Sequence, residues 1–167
     1  MRQARVPVPD PVGPGQESVW DYPRPPRLEP STRRVRVELD GIVIAESSRA
    51  LRVLETSHPP TYYVHPDDVV REFLERASGD SWCEWKGRAV YWTVQTATAR
   101  VERGAWSYRT PLVPFDELAD HLAFYPALFS CHLDDERVMP QPGGFYGGWV
   151  TNDLAGPFKG GPGTMGW

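Results

Sequence analysis

The clearest pattern along the chain is the alternation in RVRVELDGIVIAES, residues 34–47. Val35, Val37 and Leu39 alternate with Arg34, Arg36 and Glu38, the period of a strand with one buried face. Asp40-Gly41 sits at its centre, and this pair suits a type I′ turn, which needs positive φ at both positions. A two-residue loop sets Leu39 opposite Ile42 and Val37 opposite Ile44, so that all four apolar groups share one face. The pattern predicts a β-hairpin.

RALRVLET (49–56) fits a short helix or a strand, and its length and the nearby HPP favour a strand. TYYV (61–64) predicts another strand. HPDDVVREFLERA (65–77) predicts a helix, with Pro66 in its first turn and Asp67 and Asp68 at its positive end. Val69, Val70, Phe73, Leu74 and Ala77 form its apolar stripe, and Ser78-Gly79 ends it. SWCEWKGRAVYWTVQT (81–96) predicts a second hairpin with Gly87-Arg88 as its loop. In that register Cys83, Trp85, Val90 and Trp92 share one face, and Trp82, Glu84, Lys86, Tyr91 and Thr93 share the other. TARVE (98–102) and AWSYR (105–109) flank Arg103-Gly104 as a third hairpin. A short helix over 114–121 and strands in LAFY and LFSCHLD complete the pattern. The predicted class is mainly β or α+β, an antiparallel sheet with one or two short helices.

The two ends differ from the middle. Residues 1–32 hold eight of the eighteen prolines and predict an extended, polyproline-like arm, with Trp20 and Tyr22 as pins to the body. Residues 33–139 form a single β-rich domain. Residues 140–167 hold nine glycines together with Phe145, Tyr146, Trp149, Phe158 and Trp167, which predicts a wrapping extension anchored by its rings.

Composition narrows the functional classes. Net charge is −4 and the pI about 5.6, which argues against nucleic acid and anionic membranes as partners. No stretch approaches the ~20 apolar residues of a membrane span, and the N-terminus lacks an apolar signal core, so a cytoplasmic location is expected. Two cysteines, Cys83 and Cys131, make no disulfide scaffold. The eighteen basic residues include only two lysines, Lys86 and Lys159.

LRVLETSHPPTYYVHPDDV (51–69), CEWKGRAVYW (83–92), AWSY (105–108) and LADHLAFYP (118–126), taken in order, resemble a bacterial family known as domain of unknown function number 427. The resemblance spans about 34–136, and the Gly/aromatic C-terminus is similar to an extension of an actinobacterial branch. It implies a small β-rich domain with a bent, tent-like antiparallel sheet, and it implies no established reaction. A nucleotidyltransferase label is sometimes attached to the family. This chain has no Gly-Ser followed by the paired carboxylates that such chemistry uses.

Metal, cofactor and nucleophile motifs are weak. Cys83 stands alone, Cys131 and His132 are adjacent, and His58, His65 and His121 are scattered, so neither metal nor cofactor is expected. The predicted register places Cys83 on an apolar face away from Lys86, as an inert thiol. No G-x-S-x-G elbow occurs, and GPFKGGPGTMGW places its lysine before the glycines, unlike a Walker loop. Arg49, Glu55, Tyr63, Lys86 and Tyr91, with Trp106 nearby, fall at strand ends or on polar hairpin faces. Such a set can hold a small anionic ligand within aromatic walls. The competing reading, which weighs more on sequence alone, is an Arg–Glu or Lys–Glu pair that fixes the sheet. The expected function is therefore a small-molecule-binding domain with a polar pocket, with or without catalysis. The alternative is a structural or interaction module whose arm and tail engage a partner or a second copy in a homodimer.

Overall fold

A computed structural model describes residues 5–167; the first four residues of the expected arm lie outside the described residues. Two short strands come from the proline-rich stretch, β1 (Glu17–Ser18) and β2 (Arg27–Pro30). The 34–47 hairpin forms as β3 (Val35–Leu39) and β4 (Ile42–Ser47), with φ of 50° at Asp40 and 76° at Gly41. Leu39 faces Ile42 as expected, but the register slips between Val37 and Glu38, so Val37 meets Ala45 rather than Ile44. A bulge of this kind lets neighbouring residues of one strand turn to the same side. Ile44 and Ala45 are both buried, and Ile42 is left 41% exposed.

The two ambiguous segments that follow are strands, β5 (Leu51–Leu54) and β6 (Thr61–Tyr63), which join β2 in a three-stranded antiparallel sheet. The helix expected over 65–77 does not form. In its place are two 3₁₀ turns, Pro66–Asp68 and Arg71–Phe73, and then a long strand, β7 (Leu74–Cys83). Tertiary partners decide this. Val69 bridges Ala45, and the Val70 N–H donates to the Ile44 carbonyl at 2.9 Å, so the β-branched pair stays extended along β4. Gly79, with φ of 84°, sits in a bulge of β7 instead of ending a helix.

Cys83 pairs with Gly87, the first residue of β8 (Gly87–Gln95). The hairpin loop is therefore Glu84-Trp85-Lys86, not Gly87-Arg88. The third expected hairpin is also absent, because β9 (Arg100–Tyr108) runs straight through Arg103-Gly104 as a bulged strand. A Cβ on Gly104 would lie 2.8 Å from Phe129 Cζ, so the strand needs glycine there to pass under that ring. The helix expected over 114–121 shrinks to a 3₁₀ turn at Asp116–Leu118. β10 (Leu122–Phe124) completes a sheet of order β10-β9-β8-β7. β11 (Ser130–Leu133) and β12 (Glu136–Arg137) extend the first hairpin into a sheet of order β12-β11-β3-β4. Three short strands follow: β13 (Met139–Pro140), β14 (Trp149–Val150) and β15 (Leu154–Ala155), of which β15 runs parallel to β1.

The protein is mainly β, built from several small antiparallel sheets. Its largest core lies between the β3/β4/β11 strands and the β8–β10 strands and includes Val35, Val37, Ile44, Phe124, Leu133 and Trp149. A second cluster, with Tyr63, Ala89, Trp106 and Leu118, lies under β5 and β6. A third joins Val19 and Tyr22 to Leu54 and Leu154, so residues from both ends share one apolar patch. The Trp20 indole N–H also donates to the Pro157 carbonyl at 2.9 Å. Among the described residues no helix is long and apolar enough to cross a membrane.

Candidate functional site

The second cluster opens into a cleft of about 360 Å³. Strand alternation selects its walls, because residues two apart on a strand share a face. Ala89 and Tyr91 on β8, and Trp106 and Tyr108 on β9, point into it. Val53, Glu55 and Tyr63 come from β5, β6 and the chain after β5. The far wall comes from the C-terminal segment, through Gln141, Phe145, Tyr146, Gly147 and Lys159.

The three-residue loop changes the expected geometry at Lys86. It brings Cys83 and Lys86 to the same cleft, where the sequence register had separated them. The Leu112 N–H donates to the Lys86 carbonyl at 2.9 Å and ties the loop down. Lys86 Nζ lies 5.7 Å from the centroid of the Tyr108 ring and 6.0 Å from that of Tyr63, within reach of cation–π attraction. Among the described residues no carboxylate pairs with it; Glu84 is exposed, and Glu55 pairs with Arg24 and His58. Burial works against the Lys86 charge, but the Tyr63, Cys83 and Glu55 side chains outweigh it and hold the pKa above the ordinary lysine value. The Tyr63 side chain is fully buried, and among the described residues its hydroxyl has no hydrogen-bond partner.

A hydrogen-bonded chain lines the other side. The Gly148 N–H donates to Gln141 Oε1 at 3.1 Å, which makes Nε2 the donor end of that amide. Nε2 donates to the Lys159 carbonyl at 2.8 Å and to His58 Nδ1 at 3.1 Å. His58 Nε2 is then the protonated nitrogen, and it faces Glu55 Oε2 at 3.4 Å. Burial raises the Glu55 pKa, but the neighbouring His58, Arg24 and Lys86 side chains outweigh it, so the carboxyl lies below its ordinary value and stays ionised. The Tyr146 ring meets His58 edge-on at 4.8 Å, and Lys159 Nζ lies 5.7 Å from the Tyr146 centroid. The Trp106 and Tyr125 rings meet at a tilt of 44° with centroids 4.5 Å apart, and the Tyr91 hydroxyl bonds Ser81 Oγ at 2.7 Å. Burial pushes the Tyr125 phenol up to about 12 and the Tyr108 phenol higher still, so both are neutral donors. Among the described residues no three His, Cys, Asp or Glu side chains gather to hold a metal ion.

Of the residues singled out from the sequence, Glu55, Tyr63, Lys86, Tyr91 and Trp106 line this cleft together. Arg49 does not. It grips Asp68 with two hydrogen bonds, at 2.9 and 3.1 Å, outside the cleft and largely in solvent. Sequence reasoning missed His58, Tyr108, Tyr125, Gln141 and Tyr146, and placed Cys83 on the wrong face. The scarcity of lysine was the available signal, since both lysines of the chain line this one cleft.

A family profile described as a domain of unknown function (DUF427) matches residues 27–138. The chain belongs to this family. No curated protein matches it. The DUF427 stretch carries Glu55, Tyr63, Lys86, Tyr91 and Trp106, whereas Gln141, Tyr146 and Lys159 lie beyond it. The cleft is thus a DUF427 surface closed on one side by the segment that follows.

The two thiols should separate chemically. Cys131 is fully buried, and burial pushes its pKa up to about 12, whereas Cys83 is half-buried in the cleft. Iodoacetamide on the folded chain is expected to alkylate Cys83 and spare Cys131, read by peptide mass spectrometry. Equal labelling, or labelling of neither, contradicts the cleft geometry at Cys83.

Proposed function

We propose that this DUF427 protein binds a small anionic molecule in the cleft, with Lys86 as its charge anchor. One observation carries the reading. Lys86 brings a positive charge into a partly enclosed aromatic site and, among the described residues, makes no salt bridge, whereas the half-buried arginines have theirs: Arg52 meets Glu17 and Glu29, and Arg33 meets Asp134 and Asp153. An enclosed charge without a partner costs desolvation energy that an incoming anion offsets. The cleft volume falls in the range typical of small-molecule sites, and eight of its twenty lining residues are Phe, Tyr or Trp. An acidic chain with two free thiols suits a reducing compartment, so we place the protein in the cytoplasm.

The competing reading is an interaction module. It draws on Trp82 and Phe145, which are 69% and 78% exposed at the cleft mouth. Calorimetric titration with small carboxylates and phosphates separates the two. Lys86→Met keeps the stem and removes the charge, and it is expected to weaken the bound anion by about 1–3 kcal/mol with the melting temperature retained. Equal affinity in both proteins removes Lys86 from the site. Anion-independent self-association that is lost in Phe145→Ala favours the module.

A further inference from the structure

The opposite face of the β7–β10 sheet carries a second groove, of about 460 Å³. Residues on β8 and β9 alternate between the two faces. Ala89, Tyr91, Trp106 and Tyr108 face the Lys86 cleft, whereas Trp92 and Ser107 face the groove. Leu74 on β7 and Leu122 on β10 complete its apolar floor. The two 3₁₀ turns after β6 supply Pro66 and Arg71, and Arg109 follows directly after β9.

Positive charge collects here in an acidic chain. Arg71 and Arg109 line the groove and, among the described residues, make neither an ion pair nor a hydrogen bond, whereas nearby Arg49 is held by Asp68 and Arg100 by Glu75. The Arg109 guanidinium lies 5.9 Å from the centroid of the Trp92 ring, and that of Arg76 lies 6.0 Å from it. Arg76 donates to the Ala77 and Tyr91 carbonyls, so its charge is fixed beside the ring. On the acidic side, Asp120 lines the groove and is exposed, while Asp67 and Glu72 lie outside the lining. His65 faces Asp67 at 3.8 Å, and burial lowers the His121 pKa, so that imidazole is neutral at neutral pH. Three guanidiniums against the Asp120 carboxylate leave two positive charges to be matched. The floor adds a neutral donor. Ser107 is 2% exposed, and its Oγ accepts the Trp92 indole N–H at 2.9 Å. Among the described residues no acceptor takes the Ser107 hydroxyl proton, which is therefore free to donate into the groove. Guanidinium forks and a hydroxyl donor suit the several oxygens of a doubly charged phosphate better than a single carboxylate.

We infer that this groove is a second binding site, for the phosphate monoester group of a small molecule, with Arg71 and Arg109 on the phosphate, the Ser107 hydroxyl donating from the floor and Trp92 against the organic part. The site lies across the sheet from Lys86 and does not depend on the anion-binding reading of the cleft.

Three probes with one ring system and different charged groups test it: 2-naphthyl phosphate, 2-naphthyl sulfate and 2-naphthoate. Calorimetry is run on the full chain and on Lys86→Met, in which the cleft has lost its anchor, at a pH above the second phosphate pKa of about 6. In both proteins the phosphate is expected to bind the groove about tenfold tighter than the sulfate or the carboxylate does, the scale of one charge-assisted hydrogen bond. Arg71→Gln and Arg109→Gln should each weaken the phosphate about tenfold in either background. Both should keep the melting temperature, because neither side chain has a partner to lose. If the sulfate or the carboxylate binds as tightly and loses affinity in the arginine variants, the groove takes anions and the phosphate class is wrong. If the arginine variants bind the phosphate as well as their parents do, the groove is not the site. If Lys86→Met abolishes phosphate binding and the arginine variants do not, the phosphate belongs to the cleft and only the Lys86 reading stands. If the phosphate binds neither protein, the groove proposal falls, and the carboxylate titrations still decide the cleft.

Discussion

Replacing Trp149 with alanine is expected to lower the stability of the chain by about 3–5 kcal/mol, the cost of removing a fully buried large aromatic side chain. Trp149 lies in the segment after the DUF427 match, yet it is completely buried within the main core. Its indole N–H donates to the Phe124 carbonyl at 3.2 Å, its backbone N–H donates to the Pro60 carbonyl at 2.8 Å, and its ring packs 5.2 Å from that of Tyr62. Alanine leaves a cavity between β6 and β10 and an unpaired buried carbonyl. Trp149→Phe keeps most of the ring and should cost clearly less. Chemical denaturation of the two variants measures both values. A loss below about 1 kcal/mol for Trp149→Ala, the scale of an ordinary point substitution, would show that this segment is not part of the core.

Gly143→Ala is the second large effect expected, and it acts on the cleft wall. A Cβ at residue 143 would lie 1.8 Å from the Gly160 carbonyl oxygen, and a Cβ at residue 160 would lie 1.9 Å from that of Pro142. Both glycines have positive φ, 90° and 137°. The obstruction is backbone against backbone, so no side chain can rotate away, and the two loop stretches of the segment must part. This seam holds Gln141 against the Lys159 carbonyl and so positions His58, Tyr146 and Lys159 around the cleft. The expected outcome is a loss of more than about 2 kcal/mol in local stability over 143–167, with much smaller change over β3 and β4. Hydrogen exchange by mass spectrometry resolves the two regions. Unchanged protection across 143–167 would contradict the close approach.

Local signals made part of this structure legible. Residues 34–47 announce a hairpin because period-two alternation and an Asp-Gly turn agree, and both are short-range properties. The segment 65–77 misled for the opposite reason. Its apolar residues fall at helical spacing, but Val69 answers to Ala45 across the molecule, and Phe73 and Leu74 reach the main core from a 3₁₀ turn and the first residue of β7. At the second hairpin the glycine was correctly singled out and its role misassigned. Gly87 has φ of 102°, and a Cβ there would meet Leu112 Cγ at 3.3 Å, so glycine is required where β8 begins under a distant loop, not in the turn itself. That shift of register is also why Cys83 was expected away from Lys86.

The candidate site was legible as chemistry and not as geometry. Glu55, Tyr63, Lys86, Tyr91 and Trp106 stood out as polar or aromatic groups on strands or at their ends, and the sheet gathers them. Arg49 looked the same in sequence, but Asp68 captures it, and nothing local distinguishes a paired arginine from a free one. The far wall was beyond reach because a Gly-rich segment has no hydrophobic period. Its position depends on close backbone approaches that only the folded chain displays.

The scarcity of lysine also provides the most direct test of the central claim. Selective labelling of lysine side chains with ¹³C and ¹⁵N yields signals from Lys86 and Lys159 alone, and both line the cleft. Titration of the folded chain with 2-naphthoate, followed by NMR, is predicted to shift the Lys86 signal most, the Lys159 signal less, and both with one saturating binding curve. Shifts that stay linear with concentration, or a Lys86 signal that does not move while the probe binds elsewhere, would contradict an anion site at Lys86.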